Sequence, residues 1–256
     1  VFLVRIAYLD CFSGISGDML LAALVDAGAN RERIEQELRK LSPGDFRLEW
    51  RTVVKAGVSA LKLDVIDESH APSLPQKPLK VLGNDHTHRS HKDIVAMIQA
   101  AGLAPRVTRR SLAIFEKIAI AEAKIHNVPV DTVHFHEVGA LDSIVDIVGI
   151  ALGLEELDIE QLYCGPIPTG NGYVRCAHGL YPVPAPATME LLLGIPLRET
   201  SIQKELTTPT GAGVAAALVE QFGSLPSMTV ESIGYGAGTR DLPDQPNVLR
   251  LLVGHK

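Results

Sequence analysis

The chain has 256 residues, long enough to bury a substantial core as one large domain or two small ones. Its 46% hydrophobic and 21% charged residues are the composition of an ordinary globular protein. A formal charge of −6 argues against a nucleic-acid binder, which needs a basic face, and is compatible with handling cations.

In chain order, Phe2–Leu9 is a continuous apolar run that predicts a buried strand. It lacks the charged start and small-residue cleavage site of a signal peptide. The strand ends at Asp10, and Cys11-Phe-Ser-Gly-Ile-Ser-Gly-Asp18 leads into a helix that stops near Gly28. Strand, Gly/Ser loop and helix can present backbone N–H groups to an anion, so Ser13, Gly14, Ser16 and Gly17 are candidate anion contacts. The loop lacks the Lys-Ser/Thr ending of a Walker A sequence, and a tight structural turn is the alternative. Asp10 and Asp18 flank it and can hold a cation, or Asp18 can simply favour a helix N-terminus.

Arg31–Leu41 predicts a second helix. Phe46–Lys55 and Val58–Asp67 predict an antiparallel hairpin around Ala56-Gly57 with one wet face. Residues 68–90 hold Pro72, Pro75 and Pro78 and then His86, His88 and, just beyond, His91. This predicts a His/Pro-rich mobile loop between an N-terminal α/β part (1–67) and residues 91–256, which continue the same core or form a second lobe. The histidines are either a metal-capture arm or lid, or part of a polar loop whose Ser90 caps the next helix.

Lys92–Ala101 and Pro105–His126 carry apolar residues at helical spacing. The stretch Val133–Asp146 that follows is the densest in chemistry. His134 and His136 point to one side of an extended segment. Gly139 permits a sharp turn, and Asp142 and Asp146 share one helix face. Nitrogen and carboxylate donors in this mixture suit borderline divalent ions such as nickel, cobalt, zinc and iron. The alternative is a capped helix start with exposed polar residues.

Leu162–Gly172 predicts a strand leaving into a Gly/Pro-rich loop that lines a ligand site or merely crosses the surface. Val174–His178 predicts a short strand, and a helix follows near Thr188–Leu193. Leu206-Thr-Thr-Pro-Thr-Gly-Ala opens a helix over Ala212–Phe222 and is the second candidate anion site, through Thr207, Thr208, Thr210 and Gly211. Met228–Ile233 and Val248–Val253 predict strands, with an anion-contact loop over 234–241 between them. Strands interleaved with helices, with one hairpin, predict an α+β (mixed α/β) fold. Cys11, Cys164 and Cys176 are widely spaced with no C-x-x-C, which fits a reducing cytoplasm. No apolar run reaches the ~20 residues of a membrane span.

Five of these stretches, taken together and in order, resemble the LarC family of nickel insertion proteins. They are Y-L-D-C-F-S-G-I-S-G-D-M-L at 8–20, H-x-H-R-S-H at 86–91, V-H-F-H-E-V-G-A-L-D-S-I-V-D at 133–146, G-P-I-P-T-G-N-G at 165–172 and L-T-T-P-T-G-A at 206–212. The resemblance implies a nickel chelatase of lyase type. It would insert Ni²⁺ into the pincer cofactor of lactate racemase, a pyridinium mononucleotide with two thiocarboxylates. It also implies CTP with Mn²⁺ or Mg²⁺, bound by a C-terminal part that this chain is expected to lack. Lactate racemase and a second copy of the chain remain open as partners.

On this reading His134, His136, Asp146, Asp10, Asp18, His86, His88 and His91 are candidate nickel donors. Glu137 and Asp142 are candidates to accept the ring proton that nickel replaces. A nickel carrier without catalysis and a metal-dependent hydrolase are the competing readings.

Overall fold

The structure, a computed structural model, describes residues 3–68, 89–135, 138–176 and 179–256. The chain opens with β1 (Arg5–Asp10), α1 (Gly17–Asp26) and α2 (Arg31–Arg39), then the hairpin of β2 (Phe46–Lys55) and β3 (Val58–Asp67). Next come α3 (His91–Ala100), α4 (Pro105–His126), a 3-10 turn over Val130–Thr132, and α5 (Leu141–Glu156). The short elements β4 (Gln161–Cys164), β5 (Ile167–Pro168), β6 (Tyr173–Cys176), β7 (Gly179–Pro182), α6 (Pro186–Leu191) and β8 (Leu197–Arg198) follow. The chain then forms α7 (Pro209–Leu218), β9 (Val219–Phe222), β10 (Thr229–Ala237) and β11 (Val248–His255).

Among the described residues, seven strands form one mixed sheet in the order β2-β3-β10-β11-β1-β4-β9. β1 pairs antiparallel with β11 and parallel with β4, so both ends of the chain meet at the sheet's centre. Together with the helices this is the expected α+β fold. Sheet alternation sends Ala7 and Leu9 into the main core under the helices, and Ile6 and Tyr8 to the other face. On that face Met228 and the Tyr8 hydroxyl, which donates to the Gly223 carbonyl at 3.1 Å, tie down the connection from β9 to β10. No helix among the described residues is long and apolar enough to cross a membrane.

Three contacts fix α1 against α5. A Cβ added to Gly17 would meet Asp146 Oδ2 at 2.6 Å, one at Gly149 would meet Leu21 Cδ2 at 2.5 Å, and one at Gly153 would meet Leu24 Cβ at 3.0 Å. Positions advance together along both helices, so α1 and α5 run side by side in the same direction with their N-termini adjacent. Parallel helix dipoles disfavour this arrangement, and Asp18 and Asp142 in the two first turns offset the doubled positive end.

Two expectations need correction. The apolar pattern of 212–222 does not stay helical: α7 ends at Leu218, and Val219–Phe222 pairs with β4. Tertiary pairing overrides local pattern there. Gly234-Tyr-Gly is not a loop but lies in β10. Cβ atoms at Gly234 and Gly236 would fall 1.9 Å from the Ala23 carbonyl oxygen and 1.7 Å from that of Met19. These glycines exist so that α1 can lie directly on the strand.

Candidate functional site

The N-termini of α1, α5 and α7 converge on one cleft of about 690 Å³. Two loops from opposite ends of the chain build its wall. Ile15 and Thr207 form a parallel bridge, with Ile15 N–H donating to the Leu206 carbonyl at 3.1 Å and Thr208 N–H to the Ile15 carbonyl at 3.1 Å. Gly14 and Gly211 permit this approach: a Cβ at either would sit about 2 Å from the opposing carbonyl oxygen, 1.9 Å at Leu206 and 2.1 Å at Ile15.

The eight proposed anion contacts divide in two. Ser16, Gly17, Thr208 and Thr210 line the cleft. Ser13, Gly14, Thr207 and Gly211 stand behind it as scaffolding. The Ser13 hydroxyl donates to the Pro246 carbonyl at 2.7 Å, and the buried Thr207 hydroxyl donates to the Pro168 carbonyl at 2.8 Å. Thr208 caps α7 by accepting from Gly211 N–H at 3.2 Å.

Among the described residues, six carboxylates line the cleft (Asp18, Glu49, Asp64, Asp142, Asp146 and Glu205) against two cations, Arg51 and Lys62. Lys62 is buried, yet its ammonium reaches Asp18 Oδ2 at 2.9 Å and Asp64 Oδ1 at 3.2 Å, and it donates to the Leu63 carbonyl. Asp18 also accepts from the Ser16 hydroxyl at 2.5 Å, and Asp64 pairs with Arg51 at 2.6 Å. Asp142 is exposed at the mouth and accepts the Ser143 N–H at 2.8 Å.

Asp146 is different: it is 8% exposed, and its Oδ1 is shut from solvent with no hydrogen-bond partner among the described residues. Burial raises its pKa well above the ordinary carboxylate value. The charges of Asp18 and Asp142 add to the rise and Lys62 opposes it.

Other candidates lie elsewhere. Asp10 ends β1 and is engaged by the Arg250 guanidinium, with Nε at 3.0 Å, away from the cleft. His134 is exposed, bridges Ser90 through the backbone, and helps hold the Asp93 carboxyl low, behind the larger effect of Ser90. His91 turns inward with its ring edge-on to Phe135, centroids 6.0 Å apart, and its Nε2 is buried without a partner among the described residues. Burial pushes the His91 pKa down, against the opposing pull of Glu116 and Asp131. Ser90 caps α3 in a capping box with Asp93. His86, His88, His136 and Glu137 lie outside the described residues. Among the described residues no three His, Cys, Asp or Glu side chains are grouped to hold a metal ion.

Sequence reasoning missed Lys62, Asp64, Arg51 and Glu205. The hairpin residues sit on a strand pair read only as half-wet, and only long-range packing brings them to α1. The one local sign was charge alternating with leucine in Lys62-Leu63-Asp64.

The fold and cleft define an α+β protein whose site joins helix N-termini, suited to anions, with a carboxylate-rich wall suited to cations. Residues 7–256 match the model of the nickel insertion protein family, and the chain belongs to that family. It is 54% identical over 253 residues to a protein of Geobacillus kaustophilus, covering 99% of this chain and 60% of that protein. Identity is 50% over 252 residues to one of Staphylococcus epidermidis, covering 98% and 59%. It is 46% over 251 residues to one of Desulfitobacterium hafniense, covering 98% and 58%. Each of these relatives is named a pyridinium-3,5-bisthiocarboxylic acid mononucleotide nickel insertion protein. The chain thus spans about 60% of the length of the relatives it matches. No solved structure matches it.

Proposed function

We propose that this chain takes part in inserting Ni²⁺ into pyridinium-3,5-bisthiocarboxylic acid mononucleotide, with the cleft as the mononucleotide site. The carrying observation is the meeting of three helix N-termini and six carboxylates in one cleft. The named substrate is mixed in the same way. Its phosphate and thiocarboxylates suit the backbone N–H ends and hydroxyls at Ser16–Gly17 and Thr208–Thr210, while the pyridinium ring and the arriving nickel suit the acids. A volume of about 690 Å³ is within the range of small-molecule sites.

Nickel is cargo here, and loose donors that yield to the substrate's sulfurs serve insertion better than a closed cage. His134, with His136, His86 and His88, is proposed to deliver it. Asp10 and Asp18 are already engaged by Arg250 and Lys62 and are assigned structural roles. The resemblance to the family adds lactate racemase as the user of the product, and CTP with Mn²⁺ or Mg²⁺ as co-reactant. No residue of this chain is assigned to the nucleotide. Three free cysteines, widely spaced in the sequence and with no C-x-x-C, favour the cytoplasm as the compartment.

The test incubates the mononucleotide, Ni²⁺ and CTP with this chain, alone and together with the remaining part of a relative, and follows the nickel-bearing product by mass. Product in either mixture supports the reading. Nickel uptake with no product in both would make the chain a carrier and sink it.

A further inference from the structure

We infer that Asp146 accepts the ring proton that nickel replaces, an inference that rests on the mononucleotide reading above. Thiocarboxylates at ring positions 3 and 5 flank position 4, so a metal held by both sulfurs lies against that carbon. Its C–H bond must break. The electron pair stays on carbon and forms the carbon–nickel bond, nickel remains divalent, and the proton passes to a base. No oxidant or reductant is needed.

The base must lie in the cleft, sheltered from water and not already neutralised by a partner. Asp18 and Asp64 share the Lys62 ammonium, and Asp64 also holds Arg51. Glu49 is ion-paired with Arg47, Glu205 is only half-buried, and Asp142 sits exposed at the mouth. Asp146 alone among these combines a place in the cleft lining with near-complete burial and an oxygen lacking any partner among the described residues. An unsatisfied buried carboxylate oxygen costs stability, which a purely structural role would not require.

Gly17 leaves room for this carboxyl beside α1. A side chain there would overlap Asp146 Oδ2 and the Thr210 methyl, at 2.6 and 2.9 Å. Burial and the neighbouring charges of Asp18 and Asp142 also make this carboxylate a stronger base than a surface aspartate. The arriving nickel, positive and brought against ring position 4, favours its ionised form at the moment of insertion.

The experiment compares the full chain, completed by the relative's remaining part, with its Asp146→Asn variant. Mononucleotide binding is read by calorimetry and single-turnover nickel insertion by mass across pH. Expected is binding within about threefold of the parent and insertion slowed about 100-fold or more, with the parent's pH dependence flattened. Insertion within tenfold of the parent, or loss of mononucleotide binding in step with insertion, would overturn the proton-acceptor role. Failure of the parent itself to bind the mononucleotide would instead sink the broader reading and this inference with it.

Folding is checked separately. The folded state holds this proton more tightly than the unfolded chain, so stability falls as pH rises from the ordinary carboxyl range through the folded-state pKa. The uncharged Asp146→Asn variant should therefore melt at a higher temperature than the parent at pH 7, with the gap closing toward pH 4. A lower melting temperature at pH 7 would mark Asp146 as a structural ion and count against the inference.

Discussion

Lys62 Nζ lies 2.9 Å from Asp18 Oδ2, joining β3 to the first turn of α1. The ammonium is 4% exposed and the carboxylate 27%, so the pair is sheltered without being sealed. Replacing Lys62 with Met leaves Asp18 and Asp146 facing each other uncompensated, while Asp64 keeps only its pair with Arg51. Urea unfolding should show a loss of about 2–4 kcal/mol, near the lower end for breaking a buried pair because both carboxylate partners keep some water. The double variant with Asp18→Asn should regain part of that loss. A single variant as stable as the parent would mean the ammonium is not needed to hold the acids together.

Gly211 tests the junction between the two loops. Alanine there places a methyl 2.1 Å from the Ile15 carbonyl oxygen, and backbone cannot yield as a side-chain tip can. The expected cost is about 1–3 kcal/mol or more, as for overpacking, read as a lower urea midpoint. Mononucleotide affinity should fall with it, because Ser16 and Thr208 would be pushed apart. Unchanged affinity would show that the wall of the cleft does not depend on this contact.

His91 is predicted to stabilise the fold and not to bind nickel. Its folded-state pKa is lowered by burial, so the stability it contributes is present above the unfolded value of about 6.5 and lost as pH falls below it. His91→Asn should flatten the dependence of stability on pH below the unfolded value of about 6.5. Nickel stoichiometry, measured by calorimetry, should not change. A lost nickel equivalent would return His91 to the donor set.

The thiols should react in two classes. Cys11 and Cys164 are buried with their sulfurs 3.5 Å apart, while Cys176 is half-buried. The contact with Cys164 and burial both push the Cys11 thiol well up, which suppresses its thiolate. Titration with a thiol reagent should modify one of the three cysteines in the native protein and all three in denaturant. Two fast equivalents would place the β1–β4 contact nearer solvent than the structure does.

Local rules carried much of the fold. The bounds Phe46–Lys55, Val58–Asp67 and Pro105–His126 emerge as expected, because Ala56 and Gly57 adopt the positive φ of a tight turn and Pro105 sits at a helix start. The same rules failed at Gly234 and Gly236, whose missing side chains serve the approach of a helix and not of an anion. At the site, Asp142 and Asp146 were legible from helical spacing and do line one cleft. Lys62 was not, since nothing near it in the chain shows that its strand will cross the start of α1.

The Ile15–Thr207 bridge joins a residue from the start of the chain to one near its end. Contacts that distant close slowly, because the intervening chain must first be ordered. The helices around α5 have local sequence to guide them, but the pocket wall does not exist until that last seam closes. Competence to hold the mononucleotide should therefore lag behind helix formation during refolding, so that the ligand reports completed assembly and not mere compaction.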